Sequence, residues 1–187
     1  MKVSEVSLDG VLLIEPVLHE DMRGFFVETF KEGPYRGAGA LRPFVQDNLS
    51  RSRRHVLRGL HYQRRQAKLV TVVRGVIFDV AVDVRPDKDT FGRSFSIELS
   101  ESNHQQLYIP EGFAHGFEVL SDEADVWYKT TDVYRPEDEG GIRWDDPALG
   151  IEWPVMTPIV SERDRRHPRL AEVDRGKLIT AKEISEL

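Results

Sequence analysis

The chain has 187 residues, with 26 Lys and Arg against 32 Asp and Glu, a formal charge of −6. That length fits one domain with a sizeable core, and an acidic balance without a Lys/Arg block argues against nucleic acid or an anionic membrane as partner. The absence of cysteine excludes disulfides, thiolate metal sites and a cysteine nucleophile together.

From the N-terminus, Met1 to Gly10 lacks the apolar run of a signal peptide, and no later apolar stretch is long enough to span a bilayer. A cytoplasmic protein with a single domain over residues 1–187 is expected. Val11 to Val17 is apolar and β-branched, a strand whose end is marked by Pro16. Arg23 to Phe30 is a second extended piece. Adjacent Phe25 and Phe26 break its alternation, which predicts that one ring meets a ligand or another subunit. Gly33 to Pro43 is a Gly- and Pro-rich loop with room for a short helix. Phe44 to Leu49 reads as a short strand and the basic run Arg51 to His55 as a solvated turn. Closely spaced strands follow over 56–63, 68–74, 76–85, 95–99, 106–109, 116–120 and 126–131. Between Val76 and Val84 the apolar residues Val76, Phe78, Val80, Val82 and Val84 share one face, leaving Asp79 and Asp83 on the other. Arg74-Gly75 and Pro86 to Asp89 are turn chemistry. Many short strands with little helical patterning predict an all-β, antiparallel sandwich or barrel. Only the tail carries a helix start, with Thr180 as N-cap.

The stretch Arg58-Gly59-Leu60-His61-Tyr62-Gln63-Arg64-Arg65-Gln66-Ala67-Lys68 concentrates reactive groups between two β-type runs. Strands hold side chains rigidly enough to aim them into a cavity. Histidine exchanges a proton near neutral pH, and a nearby ammonium stabilises an oxygen that gains negative charge. Strict alternation would put Arg58 and His61 on opposite faces; a bulge at Gly59 would turn both the same way. From the residues alone, the strand-borne Asp79 is an equal candidate with Asp164 for the carboxylate that orients His61.

A second cluster, Pro110-Glu111-Gly112-Phe113-Ala114-His115, has the Pro-x-Gly-x-x-His form of the second cupin motif. The first cupin motif would supply two histidines and a glutamate as metal ligands. Here Gly59 stands at the first histidine position and only Gln66 is near the carboxylate position. The chain therefore resembles a cupin-type double-sheet β-barrel (jelly roll), with a short C-terminal helical segment and no metal centre.

More specific strings occur in order: Arg23-Gly24-Phe25-Phe26-Val27-Glu28, Gln46-Asp47-Asn48, Leu57 to Gln63, Lys68-Leu69-Val70, Phe78 to Asp83, Pro110 to Phe117, Tyr128-Lys129-Thr130-Thr131 and Trp144-Asp145-Asp146-Pro147. From about Leu8 to Asp164 the sequence closely resembles the dTDP-4-dehydrorhamnose 3,5-epimerase family. The resemblance implies a dTDP-linked 4-keto-6-deoxyhexose substrate, inverted at C3 and C5 through an enolate, with no cofactor. It implies His61 as base, Asp164 as its partner, Lys68 at the enolate oxygen and Tyr128 as acid. Arg58 and His115 would meet the diphosphate or sugar, and Gln46 and Asn48 would supply amide contacts. Arg23, Phe26 and Glu28 match a segment that reaches a neighbouring subunit's site and its thymidine, implying a homodimer that shares the N-terminal strands 8–30. Tyr134, Glu139 and Arg163 match outer positions. The barrel core would span about 45–135, and the tail 165–187 is variable and matches nothing of the family.

The connection Arg64 to Ala67 is shorter than the family's proline-containing loop, which affects the reach of Lys68. Three alternatives stay open in sequence terms: a C3-only epimerase with the same residues, a metal-dependent cupin, and a non-catalytic sugar-nucleotide-binding barrel. The missing cupin ligands oppose the second, and the complete acid–base set opposes the third.

Overall fold

Alternation of side chains becomes strand along most of the chain. In the computed structural model, which describes residues 1–187, the chain opens with β1 (Lys2–Glu5), β2 (Leu12–Glu15) and the hairpin strands β3 (Leu18–Asp21) and β4 (Gly24–Val27). The short helix α1 (Glu32–Gly37) leads to β5 (Gln46–Arg53), β6 (Val56–Gln63), β7 (Lys68–Arg74) and β8 (Val76–Asp83). Next come β9 (Ser94–Ser100), β10 (Gln106–Ile109), β11 (Phe113–Val119) and β12 (Glu123–Thr130). The C-terminal quarter adds β13 (Glu139–Gly141), β14 (Ile159–Val160), α2 (Glu162–Arg165) and α3 (Ala181–Ile184).

Two six-stranded sheets result. The first has the order β1-β2-β10-β7-β12-β5; the second runs β13-β6-β11-β8-β9, with β14 alongside β6. All pairings are antiparallel except β14 on β6. No ladder joins the two sheets, so the fold is mostly β but not a barrel closed by hydrogen bonds. The facing sides bury Val70, Val72, Leu107, Ile109 and Val126 of the first sheet against Ile77, Ala81, Phe113, Phe117 and Val119 of the second. No helix is long and apolar enough to cross a membrane.

The outer faces are covered unequally. Tyr35 of α1 and Ala40 lie over Leu12, Ile14, Leu69 and Tyr108 of the first sheet. On the second, Leu60, Val80, Val82 and Ala114 are buried under Ile142, Leu149, Leu170, Val173 and Leu178. The tail thus acts as a lid on this sheet, a role its charged composition concealed. With both faces covered, Asp79 and Asp83 are fully buried. Each then needs a polar partner. Asp83 accepts hydrogen bonds from Arg85 Nε at 2.9 Å and Thr90 Oγ1 at 2.6 Å; Asp79 is held by a histidine, described below.

The boundaries of β6, β7 and β10 match the sequence expectation, whereas β11 begins three residues early, at Phe113. Arg51 to Arg53 extend β5 instead of turning, because Asp125 lies directly across on β12 and binds Arg51 through two hydrogen bonds of 2.7 Å. At the tail, Thr180 caps α3: its hydroxyl accepts from the Glu183 N–H at 3.1 Å and the Glu183 carboxylate accepts from the Thr180 N–H at 2.8 Å.

Truncating a buried leucine removes its transfer energy and leaves a cavity. Leu178→Ala should therefore cost about 2–4 kcal/mol in urea unfolding. An unchanged midpoint would show that the tail does not hold the second sheet.

Candidate active site

One irregularity in β6 sets the site. Opposite β11, His61 pairs with His115 and Arg58 with Phe117, three steps on β6 against two on β11. The extra residue is a bulge, and it turns Arg58 and His61 towards the same inner face, as the glycine in the sequence foreshadowed. Gly59 has φ +133°, and a Cβ there would lie 2.6 Å from the Gly116 Cα. Only glycine fits.

Below the bulge, Ser161 caps α2 by accepting the Asp164 N–H at 3.0 Å, which fixes Asp164 on the first turn. Asp164 Oδ1 lies 2.7 Å from His61 Nε2, and Oδ2 accepts the Gly59 N–H at 3.2 Å. Burial disfavours the Asp164 charge, but the contacts with His167, His61 and the Gly59 N–H outweigh it and hold the carboxyl far below the usual carboxylate range. With Nε2 engaged, Nδ1 is the His61 nitrogen left for proton exchange. The open choice of partner is thereby resolved: Asp164 serves His61, while Asp79 binds His115 Nε2 at 2.7 Å. Burial lowers the pKa of His115 against the opposing pull of Asp79, so its imidazole is neutral at pH 7 and donates to the carboxylate.

Lys68, at the start of β7, keeps some solvent access at the cleft, and its ammonium donates to the His61 carbonyl at 3.5 Å. Its desolvation, partly offset by Asp79 and Glu139, pulls its pKa to about 8. The short loop before it therefore still delivers the cation beside His61. Tyr128 on β12 lies opposite Asn48 and Val70 and packs against the inner core. Burial raises its pKa and Arg58 partly counteracts this. Arg58 itself is exposed, without a carboxylate partner, and held by a hydrogen bond from Nε to Ser52 Oγ at 2.9 Å.

Around the rim, Gln46 Nε2 donates to Asn48 Oδ1 at 2.9 Å, and Gln46 Oε1 accepts the Tyr134 N–H at 3.0 Å. Tyr134 donates its hydroxyl to Glu139 Oε2 at 2.7 Å, and Glu139 forms an ion pair with Arg163. Burial disfavours charge on Glu139, yet Arg163 and Tyr134 prevail and its pKa falls. Hydrogen bonds, ion pairs, strand pairing and charge interactions thus link eleven of the fourteen residues singled out in the sequence.

Arg23, Phe26 and Glu28 do not join them. They lie on or just after the β3–β4 hairpin, exposed, with Arg23 bound to Asp21 and Glu28 to Lys31. The hairpin flanks the outer side of the first sheet, facing away from His61 within one chain. Sequence reasoning missed Ser52, which steadies Arg58, and His167, whose ring lies beside Asp164. A histidine three positions beyond a helical carboxylate is the signal that points to the latter. His61, Asp164 and His167 bring three possible metal-ligand atoms within 4.8 Å of one another. Both Asp164 oxygens are already engaged by His61 and Gly59, so an ion there would have to break the 2.7 Å contact.

The sequence pattern of dTDP-4-dehydrorhamnose 3,5-epimerase matches residues 5–172. A dTDP-4-dehydrorhamnose 3,5-epimerase of Methanothermobacter thermautotrophicus is 53% identical over 173 residues, covering 90% of this chain and 94% of that one. Among solved structures, dTDP-6-deoxy-D-glucose-3,5-epimerase of Legionella pneumophila, in complex with dTDP-4-keto-L-rhamnose, has a TM-score of 0.93 at 45% identity, covering 96% of this chain and 97% of that one. A 3'-monoepimerase of Streptomyces bikiniensis, in complex with dTDP-quinovose, has a TM-score of 0.90 at 36% identity, covering 97% and 94%. With a family match over nearly the whole length and half its residues shared with such a relative, the chain belongs to the dTDP-4-dehydrorhamnose 3,5-epimerase family.

Proposed function

We propose that this protein inverts C3 and C5 of dTDP-4-dehydro-6-deoxy-D-glucose, the epimerisation that leads to dTDP-L-rhamnose. The observation that carries the reading is the His61–Asp164 pair beside the desolvated Lys68 ammonium, with Tyr128 on the neighbouring strand two positions from Thr130, the residue opposite Lys68. The C4 carbonyl acidifies the hydrogens on C3 and C5. His61 removes one of them, Asp164 stabilises the imidazolium that forms, and the electron pair moves into an enolate whose oxygen meets Lys68. Tyr128 returns a proton from the opposite face, which inverts the carbon. Charge appears on the oxygen only as the proton leaves, so a fixed ammonium there favours the transition state over the bound substrate.

Arg58, unpaired and held by Ser52, suits the diphosphate, where a guanidinium can make paired hydrogen bonds. His115, Gln46 and Asn48 line the sugar side, with Tyr134, Glu139 and Arg163 at the rim. The two facing sheets read as a cupin-type jelly roll adapted to acid–base chemistry. A homodimer completes the site, with Arg23, Phe26 and Glu28 of one protomer reaching the nucleotide bound by its partner. Supporting this, Phe25 and Phe26 on the hairpin are 58% and 69% exposed, and Leu49 and Val73 on the outer face of the first sheet are 68% and 46% exposed. Such apolar area marks an interaction surface.

Incubation with the substrate in heavy water tests the reaction. Deuterium at both C3 and C5 is expected; uptake at C3 alone would place the protein with the monoepimerases, and none at either carbon would refute the reading. In the same assay His61→Ala should abolish exchange while dTDP still binds, and a fully active variant would refute the base assignment. Because Lys68 titrates at about 8, its cation is lost as pH rises through that value, and kcat/KM should fall on the alkaline side. Lys68→Gln should remove that limb along with most of the rate. Sedimentation equilibrium should report a dimer that Phe26→Glu weakens together with kcat/KM; a fully active monomer would exclude the shared site.

A further inference from the structure

We propose that His167 is a positioning residue, a second imidazole that shares the Asp164 carboxylate and holds it in line with His61. The inference rests on the assignment of His61 as base. His167 follows α2, and its backbone N–H donates to the Asp164 carbonyl at 3.4 Å. Its side chain is only 12% exposed, and its Nε2 lies 3.5 Å from Asp164 Oδ1, the oxygen that also meets His61. That separation is long for a hydrogen bond, but this buried nitrogen has no other partner. A bare nitrogen lone pair facing a carboxylate would be repelled, so the ring carries its proton on Nε2 and directs it at Asp164. The His61 and His167 rings sit edge to face, with centroids 5.6 Å apart at 75°.

The surrounding chain makes room for this ring. Gly141 on β13 pairs with His61 on β6, and a Cβ at Gly141 would come within 2.4 Å of the His167 imidazole. Glycine there is a packing requirement of His167. The carboxylate is consequently contacted by the Gly59 N–H and His61, both on β6, and by His167, three positions further along its own stretch of chain.

Two consequences follow for the reaction. A carboxylate held by three donors has one orientation, so the His61 ring it steers is aimed consistently at the carbon acid. A second N–H on the same oxygen also draws charge from it, so the His61 imidazolium is bound less tightly and the base is released for the next turnover. The other ionisable groups facing this pair are Glu139 on β13, His115 on β11 and Lys68 on β7. They are the same in every variant below, so a changed kcat reports on His167.

His167→Leu should lower kcat roughly tenfold with KM little changed. His167→Gln, whose amide can donate from about the position of Nε2 but cannot ionise, should restore most of kcat. Nitrogen-15 NMR of the unmodified protein should find the Nε2–H tautomer at His167, with a proton resonance that moves in Asp164→Asn. A leucine variant with normal kcat, a glutamine variant that rescues nothing, or a bare Nε2 would each overturn the proposal. If His167→Leu fails to fold, the glutamine variant and the NMR tautomer decide. Activity of His61→Ala separately tests the base assignment, and the tautomer measurement does not depend on it.

Discussion

The extra residue at Gly59 is the constraint on which the site depends. Without it, β6 would present Arg58 and His61 to opposite faces. With it, both face inward, and the N–H of the same glycine reaches Asp164. Contact with Gly116 on β11 leaves no space for a side chain, so the bulge, the register and the orienting carboxylate form one geometric unit. A bulge serves here to aim side chains rather than to relieve strain.

The C-terminal segment makes stability and chemistry inseparable. Leu170, Val173 and Leu178 bury the outer side of the second sheet, while α2, just before them, carries Asp164 into the inner cleft. A segment that only covered a sheet could vary freely in its approach. This one must hold a carboxylate within hydrogen-bond distance of an imidazole on β6, and the Ser161 cap and the short β14 pairing with β6 fix its course.

Two histidines on neighbouring strands, each bound to an aspartate, meet different electrostatic conditions. His115 and Asp79 are sealed in the interior, and burial keeps that imidazole neutral as a structural donor. His61 retains solvent access and leaves one ring nitrogen free, which suits proton transfer. Lys68 lies between, its charge weakened by desolvation and supported by Asp79 and Glu139. The same pairing of residue types thus meets two environments, one sealed in the interior and one open to solvent.

Local pattern was sufficient for the central strands, because β6, β7 and β10 carry dense β-branched or aromatic runs ended by turn residues. Motif order was sufficient for the family. It was insufficient for β1, β13 and β14, which are short and, in Glu139-Gly140-Gly141, have almost no side-chain pattern to read. The run Arg51 to Arg53 looked solvated because its partner Asp125 is distant in sequence, and the tail looked idle because its few apolar residues are spread among charges. His61 and Asp164 are separated by 103 positions, and no spacing rule could choose between Asp164 and Asp79. The sequence by itself determined a β-rich epimerase chain and its reactive residue types; the tertiary structure decided which carboxylate serves which histidine and that His167 stands behind them, because those pairings depend on strand register and on where a distant segment packs.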